Sequence, residues 1–252
     1  GDELRLKLVT ITAPGGKVLI RDLSLALPAG AGNSLLVSGP SGCGKSTLVS
    51  ALGGLWPHFS GTIQVPNRES VCIMPQRPLI IPGSLLDQVT YPLTNSEAVE
   101  REALARRHAL AQGGAEEYRG VQEFLSAVDL EHLFERMARP GEDHPHWAAT
   151  LSPGEQQRLA FARLLFHKPS FAILDEATSA LPEETEARMY RACRDAGITL
   201  LSIGHRASLR RYHARVLTLE PGGGWSHSSI ERSEAGPSQI EGSETGLSRP
   251  LP

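Results

Sequence analysis

Two stretches hold residues whose types and spacing could do phosphate chemistry. The first is GPSGCGKS, Gly39 to Ser46, a complete GxxxxGK[ST] phosphate loop. Its glycines let successive backbone N–H groups curl around phosphate oxygens, and the helix that must follow aims its positive end at them. Gly39, Pro40, Ser41, Gly42, Cys43, Gly44, Lys45, Ser46 and Thr47 are therefore candidate nucleotide-binding residues. Lys45 would neutralise the β and γ phosphates, and Ser46 would hold Mg²⁺. The second stretch is FAILDEATSAL. Asp175, closing a buried strand, would stand at the sheet edge beside the phosphate loop and hold Mg²⁺ through water. Glu176 would reach the attacking water as base or polarising group. Two adjacent acids after a strand are commonly a solvated turn; paired with a phosphate loop they become a hydrolytic pair.

These residues need a scaffold that brings strand ends together. NSLLVSGPSGCGKSTLVSALGGLW switches from a short apolar run through the glycine-rich loop to helical spacing, which predicts strand, loop and helix. From Leu151 the order is helix, buried strand (Phe171 to Leu174), helix (Glu183 to Ala196) and strand (Thr199 to Ile203), the alternation of a parallel sheet. Upstream, Leu4, Leu6 and Leu8, then Leu23, Leu25 and Leu27, alternate with polar residues, predicting antiparallel strands with one exposed face. Asn95 to Gly120 reads as a solvated helix, and Val121, Phe124, Leu125 and Val128 mark another helix. The stretch after Gly222 is too poor in apolar residues to fold, which predicts disorder.

Composition narrows the classes. A chain of 252 residues with 40% hydrophobic content can bury a core of its own. A net charge of −3 argues against binding nucleic acid through bulk electrostatics. Three widely spaced cysteines, Cys43, Cys72 and Cys193, form no zinc or disulfide framework. The longest apolar runs are strand-sized, far short of the ~20 residues that span a bilayer. The start GDELRLKL reads as a cut from a longer chain.

Further motifs choose among phosphate-loop enzymes. Gln76 in MPQRP, LSPGEQQR from Leu151, SALP from Ser179 to Pro182, and His205 in SIGHR follow in the order of an ABC ATPase nucleotide-binding domain, which the chain resembles from Leu4 to Pro221. The resemblance implies an α/β P-loop NTPase (RecA-like) fold: a parallel-sheet core, an N-terminal antiparallel β lobe and an α-helical signature lobe. It divides the chain into an ATPase domain at 1–225, with the β lobe at 1–34 and the helical lobe at about 85–165, and a disordered tail at 226–252. It implies that Gln76 touches Mg²⁺ and water, that His205 contacts the γ phosphate, and that Ser152 and Gly154 meet ATP held by a second domain. GGLWP, PQRP and GSLLDQVTYP are similar to the D subfamily of half-transporters, which includes peroxisomal acyl-CoA and lysosomal cobalamin carriers, and to SbmA-type bacterial exporters.

On this resemblance, the cofactors are ATP and Mg²⁺, with Ser46, Gln76 and Asp175 as metal ligands and Glu176, His205 and Gln76 as catalytic groups. The partners are another ABC domain, as homodimer or heterodimer, and a transmembrane domain upstream in the same chain; nucleic acid is not among them. The place is the cytosolic face of a membrane, an organelle such as a peroxisome, lysosome or ER if the source is eukaryotic. Candidate cargoes are acyl-CoA or fatty acid, and cobalamin. The alternatives are a soluble non-transport ABC ATPase and an ATP-binding dimerisation module with weak hydrolysis.

The chain also departs from that pattern. LVTITAPGG offers no aromatic ring for adenine, so base contact is expected near Thr12 to Pro14. Pro153 replaces the first glycine of the family's signature, matched here by LSPGEQQR, removing an N–H, and Pro182 replaces the aspartate of the family's D-loop, matched here by SALP. Cys43, at a helix start, is expected to react with alkylators. Ser152, Pro153 and Glu155 also spell a helix cap, one expected to stay unfinished until the partner's ATP arrives.

Overall fold

The computed structural model describes residues 2–67, 70–93, 97, 119–136 and 146–230. The described residues form two sheets. The smaller has the order β2-β1-β4, from β1 (Glu3–Thr12), β2 (Val18–Pro28) and β4 (Phe59–Gln64). The larger has the order β5-β6-β7-β3-β8-β9, with β3 (Leu35–Ser38), β5 (Val71–Met74), β6 (Phe171–Asp175), β7 (Thr199–Ile203), β8 (Arg215–Leu219) and β9 (Trp225–Ser229). Its first five members are parallel, and β9 runs antiparallel to β8.

The central strands are continuous apolar runs because both their faces are covered. Along β6, Phe171 and Ile173 pack with β1, β2 and the helix Lys45–Leu52, while Ala172 and Leu174 pack with the signature helix Pro153–His167 and the helix Glu183–Asp195. The period of two along one strand thus divides the core into two halves. The second half extends into the helices Leu85–Thr90, Arg119–Ala127 and Glu131–Arg136, where Val121, Leu125 and Val128 are buried. Trp147 is 1% exposed, and its Nε1 donates to Gly83 O at 2.7 Å. That bond fixes the short helix Trp147–Thr150 ahead of the signature helix.

Three sequence expectations need correction. Leu8 does not continue the inward row of Leu4 and Leu6: it is 66% exposed with φ 48°, and Val9 and Ile11 take the core positions. The register shifts between Leu6 and Val9, and a bulge there reverses the phase of the alternation. On the neighbouring strand only glycine fits opposite it, since a Cβ on Gly61 would stand 2.3 Å from Leu8 O. The β lobe expected at 1–34 also takes its third strand, β4, from beyond the phosphate loop.

Disorder from 226 onward is contradicted as far as Ile230. β9 pairs along the whole of β8, and Ile230 N–H donates to Ala214 O at 2.8 Å. Ser226, His227 and Ser228 are exposed on this edge strand, so a ladder of backbone bonds holds a stretch with no apolar pattern to betray it. Residues 231–252, and the solvated helix expected at 95–120 except Glu97 and positions 119–120, lie outside the described residues.

Candidate functional site

The strand order decides which motifs meet. β3 runs into the phosphate loop, β5 leads to Gln76, β6 ends at Asp175, and β7 leads to His205. These strands are parallel neighbours, so their C-terminal ends share one edge of the sheet. β6 lies between β5 and β7, and that puts the residue after it between the other two groups. Glu176 Oε2 accepts from Gln76 Nε2 at 3.0 Å, while its Oε1 lies 3.3 Å from His205 Nε2.

Glu176 is held in an unusual backbone conformation, with φ 50°. The left-handed region costs a non-glycine residue about 1–2 kcal/mol. The bond from Glu176 N–H to Ile203 O, 3.0 Å, ties the residue to the end of β7 and offsets part of that cost. Strain of this kind collects where a side chain must be aimed.

On the other side, Ser46 Oγ donates to Asp175 Oδ1 at 3.3 Å. Burial raises the Asp175 carboxyl above the usual range, the Ser46 bond opposes this, the Glu176 charge adds to the rise and Lys45 lowers it. Lys45 is 7% exposed, and its Nζ donates to Gly39 O and Pro40 O at 2.8 Å each. The loop's curl requires glycine at two points. Gly39 has φ 142°, and a Cβ there would stand 2.4 Å from Leu219 O; Gly44 has φ 103° and lies beneath Leu19. Pro40, Ser41, Gly42 and Ser46 are exposed and Thr47 is half-buried. Cys43 is not an open thiol: it is 5% exposed and packs in the core under the loop.

Two cavities adjoin these residues. One, of about 150 Å³, is lined by Glu176, Thr178, Ser179, His205 and Arg206 among others. The other, of about 140 Å³, lies between Lys17, Val18 and Leu19, the loop residues Pro40 to Cys43, and Glu220 to Gly222. Apolar contact beside the phosphate loop thus comes from the start of β2. Thr12 O accepts from Trp56 Nε1 at 3.0 Å.

Ser152 and Gly154 are not drawn into this cluster; they begin the signature helix. Ser152 is its N-cap and Pro153 its first residue. A capping box forms within the chain: Ser152 Oγ and N–H donate to Glu155 Oε2 at 2.6 and 2.8 Å, and Glu155 N–H donates to Ser152 Oγ at 3.3 Å. These bonds, with His132 Nε2 3.0 Å from Glu155 Oε1, lower the Glu155 carboxyl to about 2. The box thus occupies the Ser152 hydroxyl and the N–H groups of Ser152 and Glu155 within the chain.

Sequence reasoning missed Gln157 and Arg206. Gln157 is 3% exposed and bonds to the segments of Gln76 and Ser179; Arg206 bonds to Ser179 O and Leu181 O. A signal existed for Gln157, which shares its helix face with Phe161 and Leu164. Among the described residues no group of three or more His, Cys, Asp and Glu side chains is placed to hold a metal ion. Among them, too, no helix is long and apolar enough to cross a membrane.

Comparison with known proteins places these residues in context. The family model described as ABC transporter matches residues 20–179. ABC transporter D family member 3 of Dictyostelium discoideum is 36% identical over 225 residues, 89% of this chain and 28% of the relative. Lysosomal cobalamin transporter ABCD4 of Homo sapiens is 40% identical over 227 residues, 87% of this chain and 35% of the relative. The chain thus spans about a third of these relatives. A bacterial Atm1-family ABC exporter with ATP bound has the same fold, with a TM-score of 0.67 at 23% identity over 88% of this chain and 37% of that one.

Proposed function

The chain belongs to the ABC transporter family, and from that premise we propose that it binds ATP and hydrolyses it to drive transport across a membrane. The observation that carries this reading is Glu176, held between Gln76 and His205 and adjoining the Ser46–Asp175 pair.

Lys45 and the phosphate-loop N–H groups take the β and γ phosphates, Lys45 giving up its loop carbonyls for them. The base enters the cavity beside Val18 and Leu19. Water attacks the γ phosphorus, the bond to the β–γ bridging oxygen breaks, and ADP leaves with that electron pair. Glu176 accepts the water's proton, Gln76 aligns Glu176, and His205 donates to the γ-phosphate oxygen. The hydroxyl of Ser46 and the carboxylate of Asp175 are hard oxygen donors that suit Mg²⁺, with Gln76 nearby. Held by those residues, the ion would supply charge neutralisation for the phosphates.

Ser152 and Gly154 serve a second ABC domain's ATP, in a homodimer or heterodimer. That requires Ser152 to share or surrender its bond to Glu155. A transmembrane domain in the same longer protein, with the chain on the cytosolic face of an organelle membrane, fits the relatives' greater length and the name of the lysosomal one. Cobalamin and acyl-CoA or fatty acid are the cargo classes to test.

Phosphate release by the purified chain checks this reading. Release that depends on Mg²⁺ and ATP, and that Lys45→Ala abolishes, is expected. ATP binding and dimerisation without release would favour the weaker reading, a nucleotide-driven dimerisation module, which Pro153 in the signature permits because it lacks an N–H to offer.

A further inference from the structure

Shortly after Glu176 the chain runs through Ser179, Ala180 and Leu181, and this segment is gripped from two sides. From the signature helix, Gln157 Oε1 accepts from Ala180 N–H at 3.0 Å, and its Nε2 lies 3.2 Å from Ser179 Oγ and 3.3 Å from Gln76 O, donating to both. From the end of β7, Arg206 donates to Ser179 O at 2.9 Å and to Leu181 O at 2.8 Å. Arg206 is itself braced by Glu186, 3.4 Å away. That carboxylate is fully buried and also accepts from Thr178 Oγ1 at 2.8 Å and Ser208 Oγ at 2.9 Å.

We propose that Gln157 and Arg206 are positioning residues for ATP hydrolysis, clamping Ser179–Leu181 so that the signature helix, Gln76, Glu176 and His205 shift together. This rests on the hydrolytic reading above. Gln157 stands on the helix whose first turn carries Ser152 and Gly154, and Arg206 directly follows His205. One buried amide therefore touches the Gln76 segment and the segment after Glu176 at once. A leucine at 157 would satisfy packing beside Phe161 and Leu164. A buried amide with its donor and acceptor both used instead selects a single arrangement of the loops it joins, because each broken bond leaves a buried group unpaired. Movement of the signature helix on a partner's nucleotide then reaches the hydrolytic acid through hydrogen bonds rather than through soft packing.

Two measurements decide it. Amide hydrogen exchange at Ala180, read without nucleotide, is expected to speed up in Gln157→Leu; unchanged protection there overturns the clamp. In steady-state ATP hydrolysis, Gln157→Leu and Arg206→Met are expected to lower kcat by about 10- to 100-fold with KM for Mg–ATP within about twofold of wild type. Arg206→Lys, keeping one cationic donor, should recover part of the loss. Since both residues hold the same segment, the double variant should fall little further than the worse single one. Losses that multiply, or a kcat near wild type in either single variant, overturn the proposal. If the wild-type chain hydrolyses no ATP, the hydrolytic reading fails, and the exchange at Ala180 still decides the clamp.

Discussion

Gln76 and Glu176, at the ends of neighbouring strands, share a 3.0 Å hydrogen bond from Gln76 Nε2 to Glu176 Oε2. The bond presents the acid's other oxygen, Oε1, to His205. The acid that would take a proton from water is thus aimed by an amide that cannot itself titrate.

Replacing Glu176 with Gln keeps the size and removes the proton acceptor. Glu176→Gln is expected to cut phosphate release by about 100-fold or more while retaining ATP affinity. ATP-bound dimers should then accumulate, visible by size-exclusion chromatography with Mg–ATP. Turnover near wild type would remove Glu176 from its role.

Lys45 offers a contrasting case, since its loss removes charge from the phosphate site and leaves the hydrolytic pair intact. Lys45→Ala should weaken ATP binding by about 10- to 100-fold, the equivalent of losing charge-assisted hydrogen bonds. Fluorescent nucleotide titration measures this. Affinity equal to wild type would show that phosphate sits elsewhere.

Cys43 reverses its sequence-based expectation. At 5% exposed, beneath the phosphate loop, the thiol should react with maleimide far more slowly in the native protein than after unfolding in urea. Bound ATP should slow it further by rigidifying the loop. Mass spectrometry of the labelled peptide reports both rates, and prompt native labelling would mean that the loop opens readily.

Acid sensitivity should centre on His213. It is fully buried, its Nδ1 donating to Leu209 O and its Nε2 accepting from Ser202 Oγ, both at 2.8 Å. Burial lowers its pKa from 6.5 to about 4. The unfolded chain therefore takes up the proton first, so stability is complete above about pH 6.5 and declines as pH falls toward 4, by about 3 kcal/mol over that window. Glu155 adds a smaller loss below 4.5, since its carboxyl is held down to about 2 mainly by the Ser152 bond. Urea unfolding at pH 7, 5.5 and 4.5 should show the decline, and His213→Gln should flatten it.

The capping box gives a stability measure of its own. Glu155→Ala should cost about 1 kcal/mol by leaving the Ser152 N–H and hydroxyl without their acceptor. Thermal unfolding reads this directly. The same variant frees Ser152 for a partner's nucleotide, so tighter ATP-driven dimerisation is the companion outcome.

Much was legible in the sequence because it is local. A phosphate loop is written in consecutive residues that set their own backbone, and the apolar runs of β6 and β7 announce strands covered on both faces. The Ser152–Glu155 box likewise needs only a spacing of three. What failed was non-local. The reversal at Leu8 depends on a bulge facing Gly61, and β9 depends on an edge of β8 that no property of its own residues reveals.

The sequence alone determined which chemical groups are present and the element that carries each. The tertiary structure decided their neighbours. Seating β6 between β5 and β7 set Glu176 against Gln76 and His205, and packing the signature helix over that edge buried Gln157 between two loops. Those contacts join residues far apart in the chain, and only the closing of the sheet and its helices could choose them.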